Sequence, residues 1–296
     1  MALRLPARAV LAAARTQRTL ERLGLGRLPR VAGMATRARD RWLRAHPLAA
    51  DLVDVEMDGV ELRVPGPLAA YYLDRWFDPL TTRVLRRFLR PGMRVVDVGA
   101  HIGFYTVLIA GQVGAEGHVL AVEPAGDNVA LLRENVARFG AVVEVVPCAA
   151  GAGPAERDFV LTDSSDTHSF YGSPLQAAVR TVRVEQRDLD SLVAGPVDLV
   201  KIDVEGAEPE VLAGASRLLA ESRRLALLVE WNPACLRRGG HDPSELPAAL
   251  TGMGFGLEVI DELAGRRRPL GEVSRWVAAG AAPEWWFCNL WAVRRA

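Results

Sequence analysis

The chain has 296 residues, of which 50% are hydrophobic and 24% are charged, so it is long enough for one or two globular domains. Acidic and basic residues balance at 36 each, and this neutrality gives no electrostatic reason to expect a nucleic-acid partner. The three cysteines and five histidines are widely scattered, which predicts neither a disulfide framework nor a zinc site. No apolar run approaches the ~20 residues that a membrane-spanning helix needs.

The first segment, residues 1–48, is predicted to be a basic amphipathic extension. Residues 1–46 contain eleven arginines against two acidic residues, with leucines and valines between them. Such a segment can lie on an anionic membrane surface or dock on a partner, but a solvated extension is the simpler interpretation. Arginines also interrupt any apolar core of the length that a secretory signal needs. We therefore expect a cytoplasmic protein, with peripheral membrane contact through this segment as the open alternative.

Residues 49–90 are predicted to form a β-hairpin and a helix. The pattern VDVEMDGVELRV at Val53–Val64 alternates around Asp58-Gly59, which is a strong hairpin signal. Asp78–Leu89 has the apolar spacing of a helix that ends before Pro91-Gly92. These two elements either cover one end of a ligand site or support the core.

The stretch VVDVGAHIGFYTVLIA at Val95–Ala110 predicts a strand, a tight turn at Gly99 and Gly103, and a helix. Such a turn lets a ligand approach the backbone, and the N–H groups at the start of a helix favour negative atoms. Strands and helices then alternate, which predicts a parallel sheet with helices on both faces. Residues 91–296 are therefore predicted to form an α/β, Rossmann-like, doubly wound sheet of seven strands, mostly parallel with an antiparallel last strand.

The boundaries of these elements follow from apolar periodicity and from glycine or proline at their ends. The strands after Val95 are predicted at Gly117–Glu123, Val142–Ala149, Val197–Ile202, Leu225–Glu230, Phe255–Ile260 and Trp286–Val293. The helices are predicted at Asn128–Phe139, Leu189–Leu192, Glu208–Leu219 and Pro243–Met253. A short strand is also predicted at Thr181–Glu185, and loops at Phe159–Gly172 and Arg266–Arg268.

Four acidic side chains stand at the ends of predicted strands: Asp97, Glu123, Asp203 and Glu230. Ligands of an open α/β sheet bind beyond the carboxyl ends of its strands, so these residues predict a small-molecule site. Glu123, 26 residues after Asp97, is suited to accept hydrogen bonds from both ribose hydroxyls of an adenosine cofactor. Asn128 follows in the first helical turn and is either part of this site or an N-cap.

The charge beside the glycine turn separates two candidate cofactors. NAD presents a pyrophosphate anion, whereas S-adenosylmethionine presents an ammonium group, a sulfonium and one carboxylate. Asp97 would repel the first and attract the second. The spacing Gly99-x-x-x-Gly103 also differs from the GxGxxG of dinucleotide-binding folds. S-adenosylmethionine is therefore the expected cofactor.

Three motifs resemble those of the FkbM-type methyltransferases: DVGAHIGFYTVLIA, AVEP at Ala121–Pro124, and VDLVKIDVEGAEPEVLAGA at Val197–Ala215. The resemblance covers residues 77–293, and KIDVEGAE is its most specific part. It implies a class I S-adenosylmethionine-dependent methyltransferase that acts on a hydroxyl oxygen of a sugar, a glycan or glycolipid, or a natural product. His101 departs from the asparagine that is common in the family, although histidine can also donate a hydrogen bond. The predicted cofactor-binding residues are Asp97, Gly99, Ala100, His101, Gly103, Tyr105, Glu123, Pro124 and Asn128.

Methyl transfer to a hydroxyl needs an aligned acceptor and a base that removes its proton. The candidate catalytic residues are Asp203, Glu205 and His168, with Asp203 best placed at the end of its strand. The structural alternative for Glu205 and Glu208 is to cap the following helix. For His168 the structural alternative, an ordinary loop residue, is preferred.

The sequence leaves the roles of two residues and the presence of a metal undecided. Lys201, the only lysine, is either an ion-pair partner or a substrate contact. Trp231 either lines an acceptor pocket or packs in the core. A divalent cation would need Asp203, Glu205 and Glu230 to converge, which a sequence does not establish, so no metal is predicted.

Two other functions compete with the methyltransferase. The chain could bind the cofactor without turnover, or it could be a nicotinamide-dependent oxidoreductase on the same kind of sheet. Alanine at Asp203 and Glu205 would separate the first from an enzyme, because a protein that only binds keeps its function. Asp97 and the glycine spacing disfavour the second.

Overall fold

The computed structural model of the protein describes residues 52–57, 59–66, 68–69, 78–173 and 176–294. The basic segment predicted at residues 1–48 lies outside these ranges, so its helix and its membrane contact stay predictions. The chain divides into two compact units, residues 1–79 and 80–296. In the part of the chain described, no helix has both the length and the apolar character to cross a membrane.

The first unit contains the predicted hairpin. Strands β1 (Leu52–Met57) and β2 (Val60–Pro65) pair antiparallel, with Met57 opposite Val60. Alternate residues are buried along both strands, as the alternation of apolar and polar residues in the sequence requires. The hairpin prediction is confirmed.

The second unit alternates strands and helices. Its strands are β3 (Arg94–Val98), β4 (His118–Val122), β5 (Val143–Val146), β6 (Ala149–Ala150), β7 (Ala155–Thr162), β8 (Ala178–Arg187), β9 (Leu199–Ile202), β10 (Ala226–Trp231), β11 (Phe255–Asp261), β12 (Arg266–Arg268) and β13 (Cys288–Arg294). The helices are α1 (Pro79–Phe88), which starts at the unit boundary, α2 (Phe104–Val113), α3 (Gly126–Val136), α4 (Leu189–Leu192), α5 (Glu208–Ala213), α6 (Ser216–Glu221), α7 (Pro233–Arg238), α8 (Glu245–Gly252) and α9 (Leu270–Ala278). Two 3₁₀ turns lie at Ala137–Val142 and Ser165–Thr167.

The central sheet has eight strands in the order β5-β4-β3-β9-β10-β13-β11-β12. The five strands from β5 to β10 are parallel neighbours, whereas β13 runs antiparallel to β10 on one side and β11 on the other. The chain winds outwards from β3 to β5 and then returns to β9 beside β3, so the strand order reverses between β3 and β9. This reversal is where doubly wound sheets bind their ligands. The seven predicted strands and the antiparallel last strand are confirmed, except that the strand predicted to reach Ala149 ends at Val146, and Ala149 belongs to β6 in a different sheet.

The sheet lies in the core because both of its faces are covered. Strands β9 and β10 are buried along their whole length, which explains their continuous apolar runs. Helix α2 buries eight of its ten residues, and its sequence is accordingly apolar on all sides. The strand ends that carry acidic residues are therefore held by the most rigid part of the fold.

A second sheet was not predicted. Strands β6, β8 and β7 form it in that order, with β7 and β8 antiparallel. The predicted loop at Phe159–Gly172 is wrong at its start, because Phe159–Thr162 belongs to β7 and the loop begins at Asp163. Only Phe159, Leu161 and Thr162 of β7 are buried, so its apolar signal is confined to the end of the strand.

The helix predictions also need correction. The predicted helix at Glu208–Leu219 is interrupted after Ala213 and continues as α6, and the helix predicted to run to Phe139 ends at Val136. Two helices, α7 and α9, were missed, and β12 replaces a predicted loop. The start of helix α7 does carry a sequence signal, because Asn232 is its N-cap. The Asn232 side chain accepts a hydrogen bond from the Cys235 N–H.

Candidate functional site

The glycine turn after β3 lies against the segment that follows β9. Gly99 has a φ of +74°, and a Cβ atom on it would lie 1.8 Å from the carbonyl oxygen of Asp203. The N–H groups of Gly99 and Ala100 donate to the carbonyl of Val122 at 3.0 and 3.1 Å. Only glycine therefore fits at Gly99, and the turn joins the ends of β3, β4 and β9.

Two further residues of the motif shape the start of α2. Gly103 has a φ of +99°, and a Cβ atom there would lie 2.7 Å from Leu132 on α3. Tyr105 is buried, with its ring centroid 5.1 Å from the Nζ of Lys201. These contacts place both residues in the packing around the turn. Pro124, after β4, is partly buried.

Asp97 is completely buried at the end of β3. Its Oδ2 accepts a hydrogen bond from the hydroxyl of Thr106 at 2.6 Å, while its Oδ1 has no hydrogen-bond partner. A buried carboxylate oxygen without a hydrogen bond costs free energy. This Oδ1 lies 3.6 Å from the Nζ of Lys201, so it is ion-paired although it accepts no hydrogen bond.

Lys201 is an ion-pair partner, which settles the choice left open by the sequence. Its Nζ lies 3.6 Å from Asp97 and 3.2 Å from Asp203, and it also donates to the carbonyl of Gly99 at 3.4 Å. Burial disfavours the charged ammonium, but Asp203 and Asp97 more than offset this, so the pKa of Lys201 is raised. One ammonium therefore links β3, β9 and the glycine turn.

Glu123 connects two turns at the end of β4. Its Oε1 accepts hydrogen bonds from the Ala125 N–H at 3.0 Å and the Asn128 side chain at 3.1 Å. Its Oε2 accepts from the His101 N–H at 2.9 Å. Burial raises the pKa of Glu123, and these three hydrogen bonds act against that rise. Because a carboxylate offers about four acceptor directions, it can still bind a ribose hydroxyl.

Asn128 is not an N-cap, so that alternative is wrong. Helix α3 begins at Gly126 with Ala125 as its N-cap, and no side chain caps it. The Asn128 amide instead donates to Glu123 and, at 3.3 Å, to the carbonyl of Ser165. Asn128 therefore belongs to the cofactor side of the site.

His101 contacts a residue that the sequence analysis missed. Its Nε2 lies 2.8 Å from the hydroxyl of Ser165, the same residue whose carbonyl binds Asn128. His101 also has a φ of +50°, which non-glycine residues rarely adopt. Burial lowers the pKa of His101 to about 4, so its ring is neutral at pH 7. The loop at Ser165 thus lies over His101 and Asn128, a long-range contact with no local sequence signal.

Three carboxylates converge beyond the ends of β9 and β10. One oxygen from each of Asp203, Glu205 and Glu230 lies within 4.8 Å of the others. We call this set the acidic cluster. The sheet explains it, because neighbouring parallel strands bring their carboxyl ends to the same edge. The convergence that the sequence left undecided is therefore present.

The residues of the acidic cluster differ in their surroundings. Glu205 has a φ of +55°, and its Oε2 accepts a hydrogen bond from the thiol of Cys235 at 3.0 Å. Burial, followed by the charge of Asp203, raises the pKa of Glu205 to about 8. Burial, followed by the charge of Glu205, also raises the pKa of Glu230 well above its usual value. Cys235 lies on the unpredicted helix α7, which is why the sequence did not reveal this contact.

Glu208 holds the backbone of this turn. Its carboxylate accepts hydrogen bonds from the N–H groups of Val204 and Gly206, both at 3.1 Å. Glu208 therefore has a structural role in the turn before α5, but it does not cap that helix as the structural alternative proposed, because the N-cap is Ala207 and no side chain caps it. Glu205 does not cap a helix, because its described hydrogen bond goes to Cys235.

Two other candidates have structural contacts. The Nδ1 of His168 accepts a hydrogen bond from the Thr162 N–H at 3.0 Å, so the neutral ring carries its proton on Nε2 and has no acceptor left for a base role. This favours the loop interpretation of His168. Trp231 is completely buried, and its indole N–H donates to the carbonyl of Pro243 at 2.8 Å. It packs in the core and does not line an acceptor pocket.

The chain is similar to known proteins over part of its length. The methyltransferase FkbM domain matches residues 97–257 of the chain. A 54-residue segment is 41% identical to protein-L-isoaspartate O-methyltransferase 1 from Arabidopsis thaliana, covering 18% of this chain and 24% of that protein. The chain thus spans about a quarter of the curated relative that it matches.

Solved methyltransferases give weaker likenesses. Methyltransferase FkbM from Methylobacillus flagellatus is 16% identical, with a TM-score of 0.43 over 83% of this chain and 56% of that one. A SAM-dependent O-methyltransferase from Thermotoga maritima is 14% identical, with a TM-score of 0.42 over 74% of this chain and 66% of that one.

The strand order and the glycine turn define a Rossmann-like domain of the class I methyltransferase type. The chain belongs to the FkbM methyltransferase family, because the family's domain matches more than half of it. The domain is a S-adenosylmethionine-dependent methyltransferase domain, and S-adenosylmethionine is its cofactor. The family resemblance and the expected cofactor are therefore confirmed.

The described residues fit this cofactor. The buried Oδ1 of Asp97 lies 3.6 Å from the Lys201 ammonium but accepts no hydrogen bond, so it suits the ammonium group of the cofactor. Glu123 suits a ribose at the neighbouring strand end. The two acceptors stand on adjacent parallel strands, so one ligand can reach both.

Proposed function

We propose that this protein transfers a methyl group from S-adenosylmethionine to a hydroxyl oxygen of a sugar, a glycan or glycolipid, or a natural product. The observation that supports it is the acidic cluster, which lies directly beside the glycine turn. Gly99 and Asp203 are in backbone contact, so groups able to accept a proton stand next to the cofactor position. A hydroxyl acceptor needs such a group, because it must lose its proton as the methyl arrives.

On the cofactor side, the residues bind and orient. Asp97 receives the ammonium group, and Glu123 receives the ribose hydroxyls. His101 and Asn128 hold the Glu123 carboxylate in place through its two oxygens. When bound, S-adenosylmethionine supplies the electrophilic methyl group. These contacts fix the direction of approach, on which an in-line displacement depends.

On the acceptor side, Glu205 is the better candidate for the base. The Oδ2 of Asp203 is already paired with the Lys201 ammonium at 3.2 Å. The hydrogen bond described for the Glu205 side chain is the one that it accepts from the thiol of Cys235. We assign proton removal to Glu205 and the positioning of Lys201 to Asp203.

Oxygen as the acceptor atom has one further support. The curated relative from Arabidopsis thaliana is by name an O-methyltransferase, acting on protein L-isoaspartate. The hydroxyl class of acceptor comes from the resemblance of the three motifs to FkbM-type enzymes. We also propose a cytoplasmic location, for which the amino-acid sequence is the only support.

The test is transfer of a labelled methyl group from S-adenosylmethionine to sugars, glycolipids and natural products bearing hydroxyls. A methyl ether survives mild alkali, whereas a methyl ester releases methanol, so alkali treatment identifies the acceptor oxygen. Alkali-stable label on a hydroxyl compound is expected. Label only on carboxyl or nitrogen acceptors would contradict the proposal.

Glu205→Gln distinguishes an enzyme from a protein that only binds. We expect turnover to fall about 100-fold or more, because the base is lost, while the affinity for S-adenosylhomocysteine stays within about threefold. Glu258→Gln, an exposed glutamate on β11, is the matched control and should change neither quantity. Unchanged turnover in Glu205→Gln would remove Glu205 from the role of base.

A further inference from the structure

The acidic cluster has the composition of a cation site. Its three members offer only carboxylate oxygens, and one oxygen of each lies within 4.8 Å of the others. Opposite ligands of an octahedral ion with metal–oxygen distances of about 2.1 Å are about 4.2 Å apart. Adjacent ligands of such an ion are about 3.0 Å apart, so side-chain shifts of up to about 1 Å would bring the three oxygens onto one ion.

Glu230 provides an independent reason to expect a ligand. Its side chain is only 6% exposed, and its Oε2 is buried with no hydrogen-bond partner. Other buried glutamates of the site are satisfied: Glu123 accepts three hydrogen bonds, and Glu208 accepts backbone N–H groups. Buried carboxylates are normally paired in this way, so the exception at Glu230 indicates a missing partner.

The local charge also favours a cation. Asp97, Asp203, Glu205 and Glu230 face a single ammonium, that of Lys201, and its ion pairs go to Asp97 and Asp203. Within the described ranges, no basic side chain forms an ion pair with Glu205 or Glu230. The excess of acidic over basic side chains is therefore not balanced by an ion pair at the two glutamates.

The cofactor does not remove this imbalance. Its ammonium group is assigned to Asp97 on β3, whereas Glu230 stands on β10, two strands away. Neighbouring strands are about 4.8 Å apart, so roughly 10 Å separates the two strands. Glu230 therefore needs a partner of its own.

We propose that Asp203, Glu205 and Glu230 bind a divalent cation, Mg²⁺ or Mn²⁺, beside the cofactor site. An all-oxygen set of carboxylates suits these hard ions. A zinc site is disfavoured, because the adjacent Cys235 donates its thiol hydrogen to Glu205 and is not a thiolate ligand. The remaining coordination positions would be open to water and to acceptor oxygens.

This site also has a consequence for catalysis, which rests on the proposed function. A divalent cation lowers the pKa of a hydroxyl that binds to it, so a loaded site would help an acceptor hydroxyl to lose its proton. Binding of the cation itself does not depend on the identity of the acceptor. The two ideas can therefore fail separately.

The experiment titrates Mn²⁺ into the full-length protein and follows the loss of the free-ion signal by electron paramagnetic resonance. No cofactor or acceptor is added, so the readout is independent of methyl transfer. We expect one ion per chain. Glu230→Gln should weaken binding about tenfold or more, because removal of an outer partner of a metal ligand alone costs about 10- to 100-fold.

Glu258→Gln is the control and should bind Mn²⁺ like the wild type, since this exposed glutamate lies outside the cluster. If Glu230→Gln does not fold by circular dichroism, Glu205→Gln, whose side chain is less buried, takes its place with the same expected loss. The absence of saturable binding to the wild type in the millimolar range would overturn the proposal. So would wild-type affinity in the folded cluster variant. Intact Mn²⁺ binding without hydroxyl methylation would instead overturn only the proposed function.

Discussion

The two sides of the site differ in how far the protein satisfies its own polar groups. On the cofactor side, Glu123 accepts three hydrogen bonds, and His101 and Asn128 are tied to it. On the acceptor side, the Glu230 carboxylate has a buried oxygen with no partner. The first side is preorganised for a ligand of fixed shape. The second side has a buried carboxylate oxygen that a bound ligand could satisfy.

The largest effect is expected where the two sides meet. In Gly99→Ala, the new Cβ would lie 1.8 Å from the Asp203 carbonyl oxygen, and φ is +74°. We expect a loss of about 3 kcal/mol in the free energy of unfolding and no detectable binding of S-adenosylhomocysteine. Chemical denaturation and calorimetric titration would measure these. Gly111→Ala, in α2 with open space around it, is the control and should stabilise the protein by about 1 kcal/mol.

The next effect concerns His101, whose pKa falls from 6.5 to about 4 on folding. The unfolded chain binds a proton below pH 6.5, but the folded protein does so only below about pH 4. Stability is therefore fully present above pH 6.5 and is lost as the pH falls, by about 2 to 3 kcal/mol at pH 4.5. His101→Asn should lack this component, so its unfolding free energy should depend less on pH between 7 and 4.5. Identical pH profiles would show that His101 is not held neutral.

Glu123→Ala tests the cofactor side alone. We expect the affinity for S-adenosylhomocysteine to fall about 10- to 100-fold, because a hydrogen bond to a charged group contributes about 1.5–3 kcal/mol. Calorimetric titration would measure it, with NAD as the ligand that should not bind. Glu144→Ala, exposed on β5, is the matched control. Wild-type affinity in Glu123→Ala would limit Glu123 to holding the turns.

The smallest effect is expected from deletion of residues 1–46, which lie outside the described ranges. Cofactor affinity should not change, because every predicted cofactor contact lies between Asp97 and Asn128. Abolished binding would contradict this. Flotation with anionic liposomes then decides between a solvated extension and a membrane contact. Flotation of the full-length protein but not of the truncated one would establish contact.

The cofactor side was largely predictable from the sequence, because its signals are local. A buried strand, a glycine turn and an acidic residue at the next strand end mark Asp97, Gly99 and Glu123 within one continuous segment. A parallel sheet with helices on both faces then follows from the alternation of strands and helices. The seven central strands were also predictable, because each is marked by a local run of mostly apolar residues.

The acceptor side was less predictable, because its contacts join distant segments. Cys235 reaches Glu205 from a short helix. The cofactor side has such a contact as well, since Ser165 reaches His101 across 64 residues from a polar loop. Trp231 could not be assigned from its neighbours, since either face of a strand can carry a tryptophan. Strand β7 was not predicted because only three of its eight residues are buried. On this side, residue type indicated which residues could act in the site, but their roles follow only from the contacts in the folded structure.

The burial of Lys201 has a practical consequence. It is the only lysine in the sequence, and it is 3% exposed. Acylating dyes and cross-linkers that attack lysine side chains therefore have no accessible target on the native protein. Reaction at Lys201 would report that the centre of the site has opened, which makes amine labelling a direct probe of its local unfolding.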